Sequence, residues 1–170
     1  GITLAAAGLL MVTMGARQSF GLFLAPIDAS TGLGVAALSF ALAVGQLMWG
    51  VAQPVAGALA DRYGARPVLL GGLLLLAAGC ALTPLMNSAT GFSVTLGLLA
   101  AIGSGAGSFS VLIGAAATRL PLEARATASG VINAGGSFGQ FLFAPIVQKL
   151  IQSLGWASAM GALAVMALAA

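Results

Sequence analysis

Six long apolar runs separated by five short polar breaks dictate the solvent in which this chain folds. A helix that crosses a bilayer needs about 20 consecutive apolar residues. Runs over roughly 2–26, 35–59, 67–86, 91–118, 124–150 and 156–170 meet or approach that length. The breaks at 28–34, 61–67, 87–91, 119–123 and 152–155 carry the glycine, proline, asparagine and serine of turns. Charged residues make up 5% of the chain, against about a quarter in soluble domains. Too few charges remain to clothe a surface in water, so lipid surrounds most of it. The expected fold over residues 1–170 is an all-α integral membrane bundle of six transmembrane helices. Its 25 glycines suit helices whose backbones approach closely.

Charge placement gives the expected orientation. Arg62, Arg66, Arg119 and Arg125 lie at the second and fourth breaks, and only Lys149 lies toward the opposite side. The positive-inside rule puts the arginine-rich side in the cytoplasm, and with it both chain ends. A bacterial inner membrane is the expected location. Gly45, Pro54 and Gly64 around the second run are echoed by Gly136, Pro145 and Gly155 around the fifth, at a constant offset of 91. Runs two and five cross in opposite directions, so the echo predicts two inverted three-helix repeats. Short connections predict that neighbouring helices pack antiparallel. The chain opens at Gly1 and ends, still apolar, at Ala170, which reads as part of a longer protein without a cleavable signal peptide.

Several chemistries find no footing. There is no histidine, no paired carboxylate and no metal-ligating cluster, so no catalytic site, metal or cofactor is expected. The lone Cys80 lies inside an apolar run and reads as a structural thiol. The net charge of +3 argues only weakly for nucleic acid, because five of the six basic residues sit between or at the ends of apolar runs and mark topology. The stretch from Gly103 to Ser108 has the glycines of a phosphate loop, but it lies mid-span with no strand before it. Gly103/Gly107 and Gly135/Gly139 are spaced as GxxxG and predict close helix contacts.

The second break is the most specific motif. Gly57, Asp61, Arg62, Gly64 and Arg66 stand in the register of the signature loop of major facilitator superfamily secondary transporters, which this break resembles. The chain departs from that pattern at Ala65, where a basic residue is usual. The resemblance implies the amino-terminal half of a twelve-helix transporter, with a second six-helix bundle as partner, either a carboxy-terminal half or a second copy. It also implies a cytoplasmic gate: Asp61 would contact the other half, with Arg62 and Arg66 as partners within the loop or on a helix. The segment Gly15–Pro26, with Trp49-Gly50 and Gln53-Pro54, resembles the monocarboxylate and oxalate–formate branch. That implies a small organic anion moved with a proton or by exchange. A non-transporting scaffold, a small channel, or a carrier of neutral solutes or drugs stands as the alternative.

Arg17 is the residue most expected to meet a substrate. It lies deep in the first run, where a charge costs about 3 kcal/mol on insertion scales. No acid lies in the membrane interior to neutralise it. A cation so placed suits an anionic small molecule; the alternative is a structural arginine bound to carbonyls or to a residue of the other half. Gln46 and Asn133 are the further expected substrate contacts, among the polar residues of the second, fourth and fifth runs. For the others, including Gln53, Ser104, Ser108 and Ser110, interhelical hydrogen bonding is the expected role.

Overall fold

The computed structural model describes residues 1–170. It is all helix: α1 spans Ile2–Thr31, α2 Val35–Tyr63, α3 Ala65–Leu85, α4 Ala89–Ala117, α5 Leu122–Leu154 and α6 Trp156–Ala169. The first five are long and apolar enough to cross a membrane, and α6 contributes 14 residues. Large apolar side chains such as Phe40, Phe138, Phe141 and Val165 point outward and exposed. In water that surface would aggregate. In a bilayer it is the ordinary solvent boundary.

The helices outrun the expected limits at several ends. α1 continues five residues beyond Pro26, because a 3-10 turn at Phe20–Phe23 restarts the helix at Leu24. Pro26 then sits in a first turn, where its missing N–H would have been unpaired anyway. Gly32, at φ 66°, stops the helix. The Asp28 carboxylate accepts a hydrogen bond from the Gly34 N–H at 2.8 Å and closes the turn. At the arginine-rich end the expected polar loop 61–67 shrinks to Gly64. Asp61 and Arg62 belong to the last turn of α2, and Arg66 to the first turn of α3.

Gly64 and Gly155 are the same device used twice. Each caps one long helix and begins the next, with φ 90° and ψ 152° at Gly64 and φ 86° and ψ 162° at Gly155. Each donates its N–H to the carbonyl four residues back, Ala60 and Ile151 respectively. This backbone region is essentially reserved for glycine. Each also follows a proline within the helix, Pro54 or Pro145. The inverted repeat expected from sequence therefore has a matching backbone. Replacing either glycine with alanine is expected to lower stability by about 1–3 kcal/mol. Thermal unfolding of Gly64→Ala and Gly155→Ala should show similar losses.

Neighbouring helices run antiparallel, as the short connections require, but they do not make the closest contacts. The most intimate pairs are the parallel ones, α1 with α5 and α2 with α4. A Cβ added to Gly135 would lie 2.5 Å from the Ala7 carbonyl oxygen, and one on Gly139 would strike the backbone of Met11. One added to Gly15 would lie 2.5 Å from the Phe143 ring. These contacts advance in step along both helices, as parallel packing requires. Gly45, Gly97 and Gly105 close α2 onto α4 in the same way. α3 does pack antiparallel on α4, with Gly72 and Gly79 against the Gly103 and Thr95 carbonyls. Glycine removes the side chains that would hold backbones apart, and so decides which helices touch.

α4 is not the continuous helix expected from its run. It winds as a π-helix over Ser93–Ala100 and breaks at Gly107 and Ser108 before resuming at Phe109–Ala117. Gly107 therefore lies at a break rather than on a helix face. Its close contact is with the Thr13 side chain of α1, whereas Gly103 meets α3. Thr13 Oγ1 donates to the Gly107 carbonyl at 3.0 Å, one of the oxygens the break releases.

Candidate functional site

The irregular stretches of α1 and α4 face one cavity of about 150 Å³. α1 contributes Arg17, Gln18, Phe20 and Gly21, where the tightening to a 3-10 turn begins. α2 contributes Leu42, Gly45 and Gln46; α4 contributes Leu96 and Ala101, in and just after its π-helical segment. π-helical bulges recur at functional sites because the extra residue re-aims the helix. Ser19 returns its hydroxyl to the Gly15 carbonyl at 2.8 Å, a bond that bends helices, and it does so two residues after Arg17.

Arg17 is half-buried and held from two directions. One terminal nitrogen donates to the Gln46 side-chain carbonyl. The guanidinium lies over the indole of Trp49, with Cζ 4.0 Å from the ring centroid. Gln46 and Trp49 are three residues apart on α2 and so share a face. A stacked cation of this kind gains about 0.5–2 kcal/mol. Both partners are neutral. They fix the plane of the guanidinium while leaving its charge unbalanced, and most of its five donors stay free. A planar fork with free donors matches a carboxylate in two-point geometry.

Asn133 does not join this cluster. It is exposed on α5, two residues before Gly135, which packs on Ala7. Along α1 that level is on the order of 15 Å from Arg17, toward the arginine-rich end. Trp49 was visible in the sequence beside Gly50, but its role was not; the signal was its spacing from Gln46 toward a buried cation. Interhelical hydrogen bonding, expected for Gln53, Ser104, Ser108 and Ser110, is found only between Ser110 and Gln53. Ser110 donates to the Gln53 side-chain carbonyl at 3.4 Å, and Ser104 to the Ala101 carbonyl at 3.0 Å. Trp49 Nε1 and Ser108 Oγ are buried without a hydrogen-bond partner. Such orphans cost about 1–3 kcal/mol each.

At the arginine-rich end, Arg62 lies over the Tyr63 ring, 5.2 Å from its centroid. Asp61 is exposed and pairs with nothing in this chain. Its position at a helix carboxyl end, and that of Arg66 at a helix amino end, oppose the helix dipoles. Each is unfavourable by about 0.3–1 kcal/mol at exposed sites.

The sequence profile of the Major Facilitator Superfamily matches residues 6–170. Monocarboxylate transporter 13 of Rattus norvegicus is 30% identical over 150 residues, which cover 88% of this chain and 34% of that protein. Monocarboxylate transporter 11 of Mus musculus is 36% identical over 123 residues, covering 72% of this chain and 26% of that one. The oxalate:formate antiporter of Oxalobacter formigenes is 28% identical over 148 residues, covering 86% and 34%. The xylose transporter XylE from E. coli, in an inward open conformation, superposes with a TM-score of 0.78 at 18% identity. That match covers 99% of this chain and 45% of that one, and it shows the fold. The chain thus spans about a third of the length of these curated relatives. With its six-helix topology and a profile match across nearly its whole length, this chain belongs to the Major Facilitator Superfamily as an integral membrane protein.

Proposed function

We propose that this chain is the amino-terminal half of a secondary transporter that moves a small organic anion, a monocarboxylate or dicarboxylate, by proton symport or exchange. The observation that carries the reading is the guanidinium of Arg17, oriented by Gln46 and Trp49 yet left without a counter-ion beside a cavity. A charge deep in a membrane protein marks a pathway, because its burial is otherwise unfavourable. The monocarboxylate transporters and the oxalate:formate antiporter among the relatives support the same substrate class. Arg17 and Gln46 form the site, and Asn133 lies along the pathway toward the arginine-rich end. That end faces the cytoplasm of a plasma membrane, the inner membrane in a bacterium, with both ends of this chain on the same side.

In this reading a second six-helix bundle completes the pathway, and the site is exposed to alternate sides as the bundles rock. Gly57, Asp61, Arg62, Gly64 and Arg66 form the cytoplasmic gate. Asp61 and Arg66 sit against their helix dipoles, an arrangement that a partner charge on the second bundle would relieve. The test is charge selectivity. Proteoliposomes holding the full-length protein should accumulate a labelled monocarboxylate and not its neutral amide of the same shape. Equal uptake of acid and amide would overturn the anion reading.

A further inference from the structure

A second cavity lies further along α2 from Arg17, where α2, α3 and α4 meet near the arginine-rich end. It encloses about 380 Å³ and is walled mainly by apolar side chains, Val55, Leu59 and Leu75 among them. Small residues create it: Ala52, Ala56, Gly71 and Ala106 leave room where larger side chains would fill the seam. Val55, Leu59 and Leu75 are exposed, so the groove opens outward along the bundle surface. Tyr63 and Pro67 line its mouth.

The mouth is cationic. Arg62 stacks over Tyr63, and Arg66 immediately precedes Pro67. Both arginines are exposed at the level where the helices end, which is the headgroup level of a bilayer. Asp61 lies on the same turn, so the two arginines outweigh a single acid there. An apolar slot that opens to lipid and ends at two guanidinium groups has the polarity of a phospholipid, tail in the slot and phosphate at the mouth. Basic pockets between helices on the cytoplasmic side take anionic headgroups in this way. Stacking on Tyr63 also holds Arg62 in place, so little side-chain freedom is lost when a phosphate binds.

We propose that this groove is a binding site for one anionic glycerophospholipid, an acyl chain between α2, α3 and α4 and its phosphate on Arg62 and Arg66. The site shares no lining residue with the Arg17 cavity, and it draws on Arg62 and Arg66, the two arginines of the proposed gate.

Quenching by brominated lipid reads the site directly. A tryptophan placed at Leu59, on the groove wall, reports contact in nanodiscs of the full-length protein. Brominated phosphatidylglycerol should quench it at several-fold lower mole fraction than brominated phosphatidylcholine of the same chains. Arg62→Gln with Arg66→Gln should remove that preference. Gly71→Leu should lower quenching by both lipids, and it is a clean probe, because a Cβ at Gly71 meets nothing within 4 Å. Equal quenching by the two lipids in the unsubstituted background would overturn the proposal. So would a headgroup preference that survives removal of both arginines. Absence of quenching by either lipid would mean that protein, such as the second bundle, covers the groove, and would overturn it equally.

Discussion

Arg17→Ala is expected to lower carboxylate affinity on the order of 100-fold. A charge-assisted hydrogen-bonded contact is worth about 3 kcal/mol at most, and that energy corresponds to roughly two decades in the dissociation constant. The fold should survive, because alanine is a strong helix former and the substitution removes a charge from mid-membrane. The melting temperature should therefore hold or rise while binding is lost, a pairing that a merely structural arginine would not give. Arg17→Lys keeps the charge but gives up the planar fork and the stack on Trp49, and should fall between the two. Calorimetric titration of the full-length protein with a monocarboxylate measures all three. Unchanged affinity in a folded Arg17→Ala protein would remove Arg17 from the site.

The second large effect is on stability. A Cβ at Gly139 would overlap the main chain of Met11, which is backbone and has no rotamer through which to yield. Gly139→Ala should therefore force α1 and α5 apart and lower stability by about 1–3 kcal/mol, the range of overpacked cores. Gly139→Leu should prevent assembly altogether. Gly130→Ala is the control on the same helix, because a Cβ there meets nothing within 4 Å. That exchange should be neutral or stabilising by about 1 kcal/mol, the helix propensity difference. Size-exclusion profiles and thermal melts in detergent distinguish the outcomes. Matching behaviour of Gly139→Ala and Gly130→Ala would show that the α1–α5 seam is loose.

What the sequence disclosed and what it concealed follow from the range of the physics involved. Span positions depend on local hydropathy, and all six runs found their helices. The echo of Gly64 in Gly155 was legible because a backbone conformation reserved for glycine leaves a mark on residue identity. The loop at 61–67 was misjudged because polarity was read as non-helical, whereas Asp61 and Arg62 simply complete the last turn of α2 where it leaves the apolar layer. The π-helical stretch and break in α4 carry no period or proline to announce them, and the break meets Thr13 only across helices, at the Gly107 carbonyl. Gln46 was legible as a polar residue in lipid, but its bond to Arg17 was not. The tryptophan that orients the cation was hidden, since stacking depends on which face of α2 meets α1.

The parallel pairing of α1 with α5 and α2 with α4 has a consequence for biosynthesis. The first three helices leave the ribosome before either of their principal partners exists. Neither three-helix repeat holds a core of its own, for each helix that opens a repeat is closed by one from the other. α2 and α3 must wait for α4, and α1 waits longer, until α5 emerges and the whole bundle can lock. A gene split between the repeats should yield two fragments that are stable only when co-expressed.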